Sequence, residues 1–152
     1  KLVPGNESIR KFNEIQKQQF QKVIKFAKGN NLNIVIQKIV PFFRGSTYAL
    51  CKPEWFRPKS FVSQDKCSVV TRKELQEELK YINEYYEEIA SRNSNVYLFD
   101  AFDVLCSEKD IYCYPAIDDK YLYWDSNHLS VYGSKYLLEP FKSFLIKNNL
   151  LK

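Results

Sequence analysis

The sequence predicts an α/β layered fold built on a parallel sheet. Two observations carry this prediction. Amphipathic segments and short β-branched runs alternate as helix, strand, helix, strand, helix, the order that places helices against a parallel sheet. The 152-residue length and 45% hydrophobic content supply one core and one domain spanning residues 1–152.

The first helix is expected over residues 9–28. Phe12, Ile15, Phe20, Val23, Ile24 and Ala27 share one face at helical spacing. Gly29-Asn30-Asn31 ends it, because both residue types accept the left-handed conformation. Leu32 to Val40 is a nearly continuous apolar, β-branched run that predicts a strand buried on both faces, stopped by Pro41. Residues 41–70 form a long excursion rich in Pro, Arg, Ser and aromatics, longer than ordinary connections. Thr71-Arg72-Lys73-Glu74 is a capping box that opens the second helix, whose apolar side is Leu75, Leu79, Ile82, Tyr86 and Ile89. Arg92-Asn93-Ser94-Asn95 breaks it, and Val96 to Phe99 makes a second short strand ending at Asp100. After an irregular stretch over 103–121, Ser130 is a plausible N-cap for a last helix, which Pro140 bends or interrupts. Two strands make a poor sheet, so further N-terminal strands of this domain are expected to be missing from the chain, or another chain supplies them. The start at Lys1, without Met or a signal-like stretch, reads the same way.

Composition narrows the function classes. The net charge of +5 is mild, and no run of five like charges occurs, which argues against nucleic acid as the partner. With 4 Gly and no Gly-rich loop, phosphate cradling has little support. One His and 4 Cys without a C-x-x-C argue against zinc, and no other cofactor is implied. Cys51, Cys67, Cys106 and Cys113 allow three disulfide connectivities. Short loops favour Cys51–Cys67 with Cys106–Cys113, which would require an oxidising compartment. Four buried thiols in a reducing compartment are the alternative.

The single histidine, His128, is the natural general base. Asp125 lies three residues before it, a spacing that can hold one ring nitrogen and leave the other to accept a proton. Alone, D-x-x-H is a weak pattern, and Asp and Ser also favour helix starts. No serine stands out as the nucleophile. Ser46 in Arg44-Gly45-Ser46-Thr47 follows the first strand, at the edge where α/β sites lie. Ser8 has no strand before it. Asp100 and Asp103 read as turn and cap residues. Tyr123, Trp124 and Tyr132 flank the pair; packing beneath the loop is their expected role, and shaping an acyl or sugar pocket is the alternative.

The run Tyr123-Trp124-Asp125-Ser126-Asn127-His128-Leu129-Ser130, followed by Gly133-Ser134, resembles the last conserved block of SGNH hydrolases. It is most similar to the SGNH domain fused to membrane acyltransferase-3 proteins, which O-acetylate bacterial surface polysaccharides. Cys67 before the capped helix, Val96 to Asp100, Asp103 to Cys106 and the Cys113 loop follow that family's order, so the resemblance covers roughly residues 32–145. It implies a three-layer, flavodoxin-like parallel sheet and a Ser-His-Asp triad in which Asp125 and His128 take part. It also implies an acyltransferase-3-type membrane domain on the same polypeptide and a carbohydrate acceptor. The location would be periplasmic or extracytoplasmic, tethered to the inner membrane. The family's Gly-Asp-Ser block and its oxyanion-hole Gly and Asn blocks are not visible here. The expectation is therefore an O-acyltransferase or esterase domain, inactive as the isolated chain. The alternatives are a non-catalytic, glycan-binding module of SGNH descent and, with less support, a cytosolic nucleotide- or nucleic-acid-binding α/β domain.

Overall fold

The computed structural model describes residues 6–43, 69–118 and 120–151, with side chains from residue 14 of the first helix onward. In chain order the elements are α1 (Asn6–Gly29), β1 (Ile34–Gln37), β2 (Val70–Thr71), α2 (Arg72–Arg92), β3 (Val96–Phe99) and α3 (Phe102–Leu105). They continue with β4 (Tyr112–Cys113), β5 (Ala116–Ile117), β6 (Lys120–Tyr121), α4 (Val131–Tyr136) and α5 (Leu138–Lys147).

The expected alternation holds, and β1 pairs with β3 in parallel, Ile34 opposite Val96 and Gln37 opposite Phe99. Two short antiparallel pairs join them: β2 with β4, and β5 with β6. The strand predicted over 32–40 is shorter than expected and not buried on both faces. It spans Ile34–Gln37 with its three apolar residues half-buried, and Leu32 and Ile39 are exposed. Few side chains cover those positions, so the apolar run overstates the strand's burial.

Side-chain alternation divides the core. Ile34, Ile36 and Val96 meet Phe20 and Ile24 of α1 and Tyr85, Ile89 and Ala90 of α2. Val35 and Phe99, with opposite alternation, join the larger cluster with Leu75, Leu79, Leu105, Leu122, Tyr123 and Leu137. The rings of Phe141 and Phe144 close on Phe99 at 5.0 and 5.4 Å. Each fully buried aliphatic side chain contributes about 1.5–3 kcal/mol. The predicted apolar face of α1 is only partly used: Ile24 and Ala27 are buried, but Ile15 and Val23 are exposed.

Local chemistry sets the boundaries. Asn31 takes φ 55°, and the Asn30 side chain donates to Phe26 O at 2.8 Å, closing α1. At the start of α2, Glu74 N donates to Thr71 Oγ1 at 3.2 Å and Thr71 N donates to Glu74 Oε2 at 3.3 Å, the reciprocal cap the sequence predicts. The final helix is interrupted, as Pro140 requires: α4 and α5 meet at Leu137, and the proline sits in the first turn of α5, where a missing N–H costs least. The stretch 103–121 is more ordered than expected. The Cys106–Cys113 disulfide closes it, as the short-loop pairing anticipates. Arg72 donates to Cys106 O and to Asp103, tying the start of α2 to that loop. Cys51 and Cys67 lie outside the described residues. Among the described residues no helix is long and apolar enough to cross a membrane.

Candidate active site

Asp125 and His128 sit on a tight turn between two antiparallel segments. Tyr123 bridges Leu129, Trp124 N donates to His128 O at 2.8 Å, and Ser130 N donates to Leu122 O at 2.8 Å. That pattern fixes the register and leaves residues 125–127 to turn the chain. Ser130 anchors the exit: its hydroxyl donates to Tyr121 O at 2.6 Å and accepts from Gly133 N at 3.0 Å, capping α4. Gly133 is required by contact, because a Cβ there would stand 2.0 Å from Leu122 O. On the other side Phe43 N donates to Ser126 O at 2.7 Å, and the Phe43 ring meets Tyr123 edge-on at 4.9 Å. The chain leaving β1 thus holds the turn in place.

Asp125 organises the turn from within. Its Oδ1 accepts from Asn127 N at 3.0 Å and from His128 N at 2.8 Å, while its Oδ2 meets His128 Nδ1 at 2.7 Å. The Asn127 backbone N–H first, then that of His128 and the imidazole, pull the carboxyl from its ordinary 3.8 down to about 2. An ionised carboxylate has no proton to give, so Nδ1 carries the hydrogen of that contact. Nε2 is then the basic nitrogen, on a side chain 73% exposed. The D-x-x-H spacing puts the Asp125 carboxylate against one nitrogen of the His128 ring. What the arrangement can do is accept a proton at Nε2 and stabilise the resulting imidazolium through Asp125.

The neighbouring residues divide in a way the sequence did not show. Tyr123 is fully buried, as packing predicts. Trp124 is 60% exposed, which corrects the expectation that it packs beneath the loop. The hairpin alternates its side chains, so Tyr123 and Leu129 turn to the core while Trp124 and His128 turn out. Tyr132 is partly buried, packed against the core. Neither serine of the turn hydrogen-bonds to the imidazole: Ser126 donates to Asn127 Oδ1 at 3.3 Å, and Ser130 is the cap. Ser46 lies outside the described residues, and Ser8 sits in the first turn of α1, where the backbone alone is described.

Asp100 behaves as a turn residue, its Oδ1 accepting from Phe102 N at 3.0 Å. Its Oδ2 also meets Lys38 Nζ at 3.0 Å, and Glu87 meets the same ammonium at 2.9 Å. Burial opposes the Lys38 charge, but the two carboxylates outweigh it and raise its pKa. This link between β1, β3 and α2 had no sequence signal, because its members lie far apart in the chain. Asp103 pairs with Arg72.

Comparison with known proteins adds one finding. A family model described as the SGNH domain (fused to AT3 domains) matches residues 3–143. No curated protein and no solved structure matches the chain.

Proposed function

The chain belongs to the family of SGNH domains fused to AT3 domains, and from that premise we propose that Asp125 and His128 are the acid and base of a Ser-His-Asp triad. The family is hydrolase- and acyltransferase-like, which makes acyl-transfer or esterase chemistry the general class. One observation carries the assignment to residues: the 2.7 Å contact between Asp125 Oδ2 and His128 Nδ1, made while two backbone N–H groups fix the same carboxylate. In this reading Nε2 removes the proton from a serine hydroxyl, and the serine oxygen bonds to the acyl carbon as the donor oxygen leaves with a proton. The sugar hydroxyl then reverses the sequence and takes the acyl group.

The acyl group is an acetyl, supplied by an AT3-type membrane domain on the same polypeptide. The acceptor is a hydroxyl of a bacterial surface polysaccharide. The domain works on the periplasmic or extracytoplasmic side, tethered to the inner membrane. In the same reading β1 and β3 are neighbouring strands of a flavodoxin-like parallel sheet with helical layers on both faces.

The test is hydrolysis of 4-nitrophenyl acetate by the full-length protein, beside labelling with a fluorophosphonate that marks activated serines. His128→Ala is expected to cut the rate by about 10²- to 10⁴-fold and to abolish the label, whose position identifies the nucleophile. An unchanged rate in His128→Ala overturns the reading. Glycan binding without turnover in the full-length protein would point to the alternative, a non-catalytic glycan-binding module.

A further inference from the structure

The first helix carries more apolar surface than the described residues cover. At the helical repeat, Ile15, Phe20, Val23, Ile24, Phe26 and Ala27 fall on one half of α1, and Lys17, Lys22, Lys25 and Lys28 fall on the other. Phe20 and Ile24 use part of the apolar half, packing on Ile34, Ile36 and Val96. Val23 and Phe26 continue the same half and are 52% and 67% exposed, with Ile15 also exposed. An amphipathic helix buries its apolar half and hydrates the other. Here the lysines mark the hydrated half, so the exposed arc belongs to the face built for burial.

The sheet is incomplete on the same side. Among the described residues β1 pairs with β3 alone. Ile34 N donates to Asn95 O and Lys38 N donates to Phe99 O. In a parallel ladder the alternate amides, those of Val35 and Gln37, then point to the opposite edge. Ile34, Val35 and Ile36 are only half-buried, and Leu32 just before them is exposed.

Handedness decides which edge a further strand joins. The helices α1 and α2 pack on one face of the β1–β3 pair, and Phe141 and Phe144 of α5 pack on the other. Strand–helix–strand crossovers between parallel strands are right-handed. Two such crossovers with both helices on one face place their strands in consecutive order. A parallel strand that leads into α1 therefore lies beyond β1. To lie beyond β3 instead, it would need α1 on the face of α5.

We propose that the outer edge of β1 and the exposed arc of α1 receive a parallel strand of the same polypeptide, contributed by residues that precede α1. Its amide and carbonyl groups pair with the outward groups of Val35 and Gln37. Its apolar side chains, at alternate positions, pack under Val23 and Phe26. One strand in this place accounts for the half-burial of β1 and for the uncovered arc together. Residues 44–68 are the competitor nearest in the chain. They connect Phe43, past the carboxyl end of β1, to Val69, which precedes α2, whereas Phe26 and Leu32 stand at the amino end of β1.

The experiment uses the full-length protein. Phe26→p-benzoylphenylalanine is irradiated beside Lys25→p-benzoylphenylalanine, and cross-linked peptides are identified by mass spectrometry. Hydrogen exchange at Val35 and Gln37 is measured in the unsubstituted protein. Position 26 is expected to cross-link within the chain to residues upstream of α1, and position 25 is not. Both amides are expected to exchange at least about a hundredfold more slowly than unstructured ones. Cross-links from position 26 only to residues 44–68, to a second copy or to no protein overturn the proposal, and so does fast exchange at Val35 and Gln37. Where the Phe26 variant fails to fold, Val23→p-benzoylphenylalanine replaces it. Neither readout involves His128, so failure here leaves the triad standing, and failure of the triad leaves this edge standing.

Discussion

Asp125 does two jobs with one carboxylate, and its protonation separates them from those of His128. The carboxyl is held at about 2, below its ordinary 3.8. The ionised form therefore favours the folded turn above pH 3.8, and that contribution is lost as pH falls through about 2. Thermal unfolding temperatures of the parent and of Asp125→Asn should converge as pH falls from 4 to 2. A difference that persists unchanged down to pH 2 would show that another group holds the turn. Tyr123 offers a second test at this scale. Burial pushes its phenol pKa up, and its hydroxyl has no partner among the described residues. Because an unpaired buried polar group costs about 1–3 kcal/mol, Tyr123→Phe should leave the unfolding temperature unchanged or raise it. A marked fall would show that the hydroxyl is bonded.

Elements in this chain are made by their ends as much as by their faces. Thr71 and Glu74 close the start of α2 reciprocally, so Thr71→Ala should cost about 1 kcal/mol of stability in denaturant titration. At the other end of the chain α4 lies against the Asp125–His128 hairpin through Gly133. A methyl group there would meet Leu122 O at 2.0 Å, and backbone cannot yield as a side chain does. Gly133→Ala is expected to cost about 1–3 kcal/mol and to reduce ester hydrolysis as well, because Leu122 is two residues before Trp124. Stability lost with activity intact would show that the hairpin is held independently of α4.

Across the whole molecule, two apolar clusters on opposite faces of β1 and β3 are joined by a few long-range ties. Within the larger cluster the Cys106–Cys113 bridge, seven residues apart, closes a loop against the start of α2. Replacing both cysteines with serine releases a short loop and should cost about 2–3 kcal/mol on the chain-entropy account. The effect should reach α2, whose first residue Arg72 bonds to Cys106 O and whose backbone N–H donates to Ile111 O at 2.9 Å. Hydrogen exchange at the start of α2 would detect it, and unchanged protection there would confine the bridge to its own loop. Lys38, between Glu87 and Asp100, is the corresponding tie at the carboxyl edge of the parallel pair.

Local chemistry was legible in the residues themselves. The capping box at Thr71, the Asn31 stop, the break near Pro140, the short disulfide and the Asp125–His128 pair all act within a few positions, so spacing alone encodes them. The order of helices and strands was legible for the same reason, because periodicity is a local property. Tertiary structure decided what distance in the chain hides. It left Ile15 and Val23 exposed on a face that looks buried, shortened β1 to four residues, and gathered Lys38, Glu87 and Asp100. It also turned Trp124 outward and Tyr123 inward. Two adjacent rings look alike in a sequence, and only the register of a hairpin, set by hydrogen bonds from both its strands, chooses which of them faces the solvent beside His128.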